Sequence, residues 1–403
     1  MSAKDYFLPA NAIQRSASRA AIVTTDNSTD RIDELDGLRA FAVVMVLVWH
    51  YFGEPLFATP SAPAYLKYIL MTGRTGVDLF FVLSGFLITR ILIANRTADN
   101  YFRIFYFRRA MRILPLFYLV FLSMLIGRQT GWQLSFFESP FSDWYYVFYA
   151  QNYPMSWLHT FGAPWLAITW SLAVEDQFYL AFPLLIWLTP PRRLPYFLAL
   201  LFVLPYFFRW VAHFELHNPL AAYILPFGRA DSLTVGSVIA WALSTERAKA
   251  FIESKTKEIN FVVFASLLVF PLIAIAYAYD LALNMVLWGY VYLEIFFGIA
   301  VLTAVINSQA PSLAFLRSRP LRFFAEISYA LYLVHPITIL VAFGIAERPI
   351  SLNTFLYFQL VLLSLIASIL ICIFTLHVIE RPCIRFGHRP KYRRERAGTL
   401  ASA

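Results

Sequence analysis

Two ionisable side chains eleven positions apart, Arg39 and His50, frame the run DGLRAFAVVMVLVWH. A helix turns about 100° per residue, so eleven steps return both side chains to one face with a rise of roughly 16 Å. That rise is about half of a ~30 Å hydrocarbon core. On a membrane helix it puts a guanidinium at the mouth and a titratable ring near the middle. An imidazole there can take a proton as general base or carry an acyl group as nucleophile. The plainer alternatives are an arginine anchored at the headgroups and a packed interior histidine. Ionisable groups inside a membrane are costly to hold and usually functional.

The remaining polar residues in apolar surroundings form a short list. Glu175 lies deep in WSLAVEDQFYLAFP, with Ser171 one turn before it and Tyr179 one turn after it on the same face. A carboxylate at that depth requires a partner or a proton. Its neighbour Asp176 faces another direction. GVDLFFVLSGF places Asp78 near one end of its stretch and Ser84-Gly85 in the middle. With no base nearby for Ser84, these small residues read first as a close helix contact. In GRADSLTVG, Arg229 and Asp231 are expected to pair with something. ISYALYLVHP puts His335 near mid-membrane, and Pro336 frees a backbone carbonyl one turn earlier. His335 is either a second catalytic imidazole or a hydrogen-bonded helix contact.

YFRRAMRILP brings three cations together. Arg108 and Arg112 are four apart and share a face, with Arg109 beside them. If they open a helix, its free N–H groups and partial positive charge add to the guanidiniums, a natural cradle for a phosphate-bearing ligand. The alternative is plain anchoring of a cytosolic helix end.

These groups must be positioned by apolar helices. The chain has 403 residues, 60% hydrophobic, 18% aromatic and only 14% charged, with a mean hydropathy of +0.62. A soluble domain would be nearer a quarter charged. Ten apolar stretches are long enough to span: 37–56, 75–95, 110–127, 165–189, 194–212, 225–244, 260–279, 285–306, 325–346 and 354–380. The expected fold is therefore an all-α integral membrane protein. A polar tail (1–36) precedes the transmembrane domain (37–380), and a basic tail (381–403) follows it. The aromatic segment 144–153 is too short and polar to span and reads as interfacial. A net charge of +9 is compatible with nucleic acid, but the location of the charges points elsewhere. With the N-terminus inside, 27 lysines and arginines fall on the cytosolic side and four outside. Both termini are then cytosolic in a multi-pass protein of the inner (plasma) membrane. No cleavable leader is expected from the polar first 36 residues. Cys372 and Cys383 make neither a disulfide framework nor a metal spacing, so no metal is expected. Nothing in the sequence speaks to oligomeric state.

DGLRAFAVVMVLVWH, GVDLFFVLSGFLI, FRRAMRILP, WSLAVEDQFYL, GRADSLTVG, ISYALYLVHP and the closing IERP occur in an order that resembles the acyltransferase 3 family of integral-membrane acyltransferases, over roughly residues 33–386. The resemblance implies about ten spans and transfer of an acetyl or other short acyl group from cytosolic acyl-CoA to a hydroxyl of an envelope or secreted glycan, which can be lipid-linked. Arg39 and His50 match the family's arginine-to-histidine motif. Glu175-Asp176 stands where the family usually has two glutamates, and no esterase-like domain follows. The implied roles are His50 as general base or acyl relay, Glu175 orienting or charge-stabilising the ring, and Arg108, Arg109, Arg112 and Arg39 meeting coenzyme A phosphates. A competing reading is a proton-coupled transporter or flippase, with His50 and Glu175 as the relay. Such a protein has no use for a phosphate cradle.

Overall fold

The computed structural model describes residues 31–57, 59, 62–279, 288–346 and 355–393, with the backbone alone for 271–279. Ten long helices lie where the apolar stretches are: α1 (Asp33–Val48), α2 (Gly76–Ala94), α3 (Tyr101–Thr130), α4 (Trp170–Leu188), α5 (Leu194–Phe214), α6 (Pro226–Leu243), α7 (Thr256–Tyr279), α8 (Tyr290–Ile306), α9 (Arg319–Ile345) and α10 (Phe355–Thr375). There is no strand among the described residues. Among the described residues, seven helical segments, built on α1–α5, α9 and α10, are long and apolar enough to cross a membrane. An eighth candidate joins α8 to the turn Pro311–Arg317 through a 107° bend. The protein is an all-α integral membrane protein.

The boundary that departs furthest from the sequence reading is the start of α3. The third stretch was expected from residue 110, but α3 begins at Tyr101. The aromatic run before the arginines has adequate helix propensity and simply continues the helix. Arg108, Arg109 and Arg112 therefore sit two or more turns inside α3, away from its free N–H groups. In α5, Pro205 lies within an unbroken helix. The tails fall mostly outside the description: residues 1–30 and 394–403 are not among the described residues.

The centre of the bundle is the crossing of α2 and α6. A Cβ on Gly85 would overlap the carbonyl oxygen of Leu233, and one on Gly236 would overlap the carbonyl of Val82. Only glycine lets the two backbones approach this closely, as small residues do at helix contacts in membranes. Around this crossing the apolar packing draws in α1 and α8 through Leu35, Ala42, Leu79, Phe86, Leu293 and Phe297. Segment 144–153 forms a short helix, Trp144–Val147, and a second follows at Asn152–Trp157. Trp144, Phe148 and Trp157 are exposed along it.

Helix α1 does not end at Val48. It passes into a π turn, Trp49–Gly53, and then a last helical turn, Glu54–Phe57. Pro55 explains the change of register. In a regular helix its missing N–H and its ring would fall against the carbonyl of Tyr51. That carbonyl instead accepts the hydroxyl of Tyr357 from α10. A second π turn, Leu376–Glu380, likewise ends two residues before a proline, Pro382. Single π turns inside helices recur at functional sites, and His50 lies within the first of them.

Candidate active site

Two of the cavities among the described residues carry the candidate groups. The larger, about 690 Å³, is lined by His50 and Trp49 of the π turn, Arg74 before α2, Trp170, Tyr223 and Pro336. The smaller, about 280 Å³, holds Arg39, Ser84, Arg109, Arg112, Glu175 and Tyr179 on its wall. Val77 and Tyr332 line both cavities. A histidine chamber and an arginine chamber thus share a wall made by one valine and one tyrosine.

In the histidine chamber, Nδ1 of His50 is 2.9 Å from the carbonyl oxygen of Val46, one turn back on its own helix. It is also 3.3 Å from Nε2 of His335. The two rings are 5.0 Å apart at 55°. His335 is fully buried, and its Nδ1 is 2.8 Å from the carbonyl of Leu331. The guanidinium of Arg74 is held between the faces of Trp49 and Tyr223, at 5.3 and 5.0 Å from their ring centres. Planar aromatic and cationic surfaces of this kind suit sugar rings and polar substituents.

In the arginine chamber, Ser84 donates its hydroxyl to Glu175. Both sequence readings of the Ser84-Gly85 pair meet here, since Gly85 makes the close contact with α6 while Ser84 faces the cavity. Glu175, Ser171 and Tyr179 share the cavity-facing side of α4, as their spacing predicts. Asp176 also lines the chamber, and its Oδ2 has no hydrogen-bond partner. Arg109 packs over Tyr179, 5.3 Å from its ring centre. Arg39 reaches the chamber from α1, with Nη1 2.9 Å from Asp36.

Three expectations are corrected by this geometry. Asp176 was expected to face another direction from Glu175, but the two adjacent acids line the same chamber. Glu175 was expected to orient or charge-stabilise the His50 ring; its carboxylate bonds Ser84, in the other chamber, and the contacts that orient the imidazole come from Val46 and His335. Arg108 was grouped with Arg109 and Arg112. Its guanidinium donates to the carbonyl of Pro390 at 3.1 Å and lies over Tyr392, so the cavity-facing trio is Arg39, Arg109 and Arg112. The reason is packing: α3 meets the helix Arg381–Gly387 on the side that carries Met111 and the backbone of Arg108.

Asp78, Arg229 and Asp231 are absorbed by a buried charge network behind the chambers. Arg229 pairs with Asp78 across the α2–α6 crossing, and Asp231 pairs with Arg209 of α5. Glu294 of α8, fully buried, lies 3.9 Å from Arg209 and accepts the hydroxyl of Ser232. Tyr290 stands against both guanidiniums. The sequence reading singled out neither Glu294 nor Tyr332. A lone acid in the apolar run YVYLEIFFG marked the first, and a tyrosine one turn before His335 marked the second. No group of three or more His, Cys, Asp or Glu side chains placed to hold a metal ion occurs among the described residues.

A family model described as an acyltransferase domain matches residues 32–377. The chain is 28% identical over 394 residues to a protein of Bacillus subtilis (strain 168) named putative peptidoglycan O-acetyltransferase YrhL, covering 90% of this chain and 56% of that one. It is 28% identical over 333 residues to the peptidoglycan O-acetyltransferase OatA of Listeria monocytogenes, covering 77% and 50%. Against the O-acetyltransferase OatA of Staphylococcus aureus (strain NCTC 8325 / PS 47) the identity is 28% over 379 residues, covering 88% and 57%. The chain spans about half the length of these curated relatives. No solved structure matches it.

Proposed function

This chain belongs to the acyltransferase 3 family, and on that premise we propose that it is a membrane O-acetyltransferase taking its acyl group from acyl-CoA and passing it to a glycan hydroxyl. The donor's phosphates are met by Arg39, Arg109 and Arg112. Guanidiniums are suited to this because their planar fork bonds phosphate oxygens in pairs. The thioester end of the donor extends toward Tyr332 and Val77. The acceptor occupies the aromatic histidine chamber.

His50 acts there as general base. The acceptor oxygen attacks the thioester carbonyl carbon while Nε2 of His50 takes the hydroxyl proton. A carbon–oxygen bond forms, the carbon–sulfur bond breaks, and the departing thiolate receives the proton. The relatives' names favour an acetyl group and a peptidoglycan-type acceptor. The excess of cations on one side favours a bacterial inner membrane with both termini and the arginine chamber facing the cytosol.

The shared wall of the two chambers is the observation that supports this reading. A cationic cavity lies on one side of Val77 and Tyr332, and the cavity that His50 lines lies on the other. Purified protein in detergent or nanodiscs tests it. Coenzyme A is expected to raise the melting temperature, and acetyl-CoA to be turned over in the presence of a glycan acceptor. Neither effect is expected of a proton-coupled transporter, and absence of both overturns the proposal.

A further inference from the structure

The mechanism asks only that His50 present an unprotonated nitrogen to the histidine chamber. The hydrogen bonds of two rings fix which nitrogen that is. A carbonyl oxygen can only accept, so the 2.8 Å contact between His335 Nδ1 and Leu331 requires a proton on that Nδ1. In the neutral ring the Nε2 of His335 is then a bare lone pair. It faces Nδ1 of His50 at 3.3 Å. The same Nδ1 of His50 is 2.9 Å from the carbonyl of Val46. Both neighbours are acceptors, so His50 carries its proton on Nδ1, and its Nε2 is left bare. His335 is fully buried and cannot exchange its role with water, while His50 lines the chamber.

We propose that His335 is a positioning residue for the general base: its Nε2 shares Nδ1–H of His50 with the Val46 carbonyl, and the two acceptors together hold His50 in the tautomer whose Nε2 receives the substrate proton. When His50 becomes an imidazolium, the same lone pair and the Val46 carbonyl face its positive edge. A neutral acceptor in this place does for His50 what an orienting carboxylate does for the histidine of a hydrolase triad, without putting a second charge at that depth. Pro336 supports the arrangement. It removes the amide that the carbonyl of Tyr332 would otherwise accept, and it lines the chamber beside His50.

This inference rests on His50 being the base, and its test separates the two claims. In full-length protein labelled with ¹⁵N-histidine, the His50 resonances, assigned by comparison with His50→Gln, are expected to show a protonated Nδ1 and a bare Nε2. His335→Phe leaves only the Val46 carbonyl as acceptor and is expected to raise the share of the other tautomer. In kinetics, His335→Phe is expected to lower kcat about tenfold to a hundredfold, within the range a general base contributes, at unchanged KM for acetyl-CoA. His335→Gln keeps an acceptor oxygen and is expected to recover at least half of that loss on a logarithmic scale. A purely structural histidine would show no such rescue and no tautomer change. A bare Nδ1 on His50 in the native protein overturns the inference, and that measurement holds even where His335→Phe fails to fold. Full kcat in His335→Phe overturns it as well. If the tautomers behave as expected while His50→Ala keeps full activity, the base assignment fails and the positioning geometry stands.

Discussion

Ser84 and Glu175 meet across the interface of α2 and α4, the hydroxyl donating to a carboxylate that also looks into the arginine chamber. The pair sits among cations rather than beside the imidazole, so its work is expected to be on the donor. Glu175→Gln keeps an acceptor for Ser84 and removes the charge. It is expected to cost at least about tenfold in turnover, since truncating charge in a buried hydrogen-bonded group is worth roughly 1.5–3 kcal/mol. Ser84→Ala is expected to cost less than about tenfold, because Glu175 keeps its cationic surroundings. Acyl transfer in proteoliposomes measures both, and equal losses in the two variants would contradict this division.

The imidazole itself offers the sharpest test. His50→Ala is expected to abolish acyl modification of envelope glycans while the protein still inserts and purifies normally. Near-normal modification by a properly inserted variant would exclude His50 both as base and as acyl carrier. Mass spectrometry of envelope glycans from cells with the native and altered protein reads the outcome directly.

The arginines divide by direction. Arg109→Ala and Arg112→Ala are expected to raise KM for acetyl-CoA by about tenfold, the order of one or two charge-assisted hydrogen bonds. Arg108→Ala is expected to change it by less than about twofold, because that guanidinium is engaged with Pro390 and Tyr392. Titration of coenzyme A binding by calorimetry checks this. A larger effect at Arg108 than at Arg109 would reverse the assignment.

The crossing of α2 and α6 is a stability element. Gly85→Ala forces a methyl into the carbonyl of Leu233, so the helices must separate. The expected cost is about 1–3 kcal/mol, as for overpacked cores, read as a lower melting temperature in detergent. An unchanged melting temperature would mean that the crossing relaxes freely.

The Asp78–Arg229 pair extends that element. Asp78→Asn leaves a buried guanidinium short of its counter-charge and is expected to destabilise by about 3–5 kcal/mol. Replacing both partners with apolar residues, Asp78→Leu with Arg229→Met, is expected to recover most of that loss, since the lone charge is then gone. A double variant as unstable as the single one would point to a role for these charges beyond folding.

Hydrophobic length alone located ten long helices among the described residues, because a bilayer or a bundle core demands long apolar runs, but only seven or eight of the ten expected spans are long and apolar enough to cross. The inward face of α4 was also legible, since Ser171, Glu175 and Tyr179 repeat at one turn. Direction was harder where a helix is polar on several sides. Arg108, Arg109 and Arg112 have equivalent side chains, and only the packing of Arg381–Gly387 against α3 selects which of them turn inward. Partners distant in sequence were hidden for the same reason. Nothing local to His50 announces His335, 285 positions away, and nothing local to Ser84 announces Glu175. Glu294 escaped notice because its partners, Arg209 and Ser232, come from two other helices.

The π turn at Trp49–Gly53 makes residue count part of the site. A turn of this kind holds one residue more than its α counterpart. Removing Phe52 would let the ordinary ladder close, and the residues left in the turn would take the α spacing of about 100° each relative to α1. His50 would then lose its bearing on α9 although the imidazole itself was still present. Homologous chains that vary freely in side chain here should therefore keep the same number of residues between the start of α1 and Pro55.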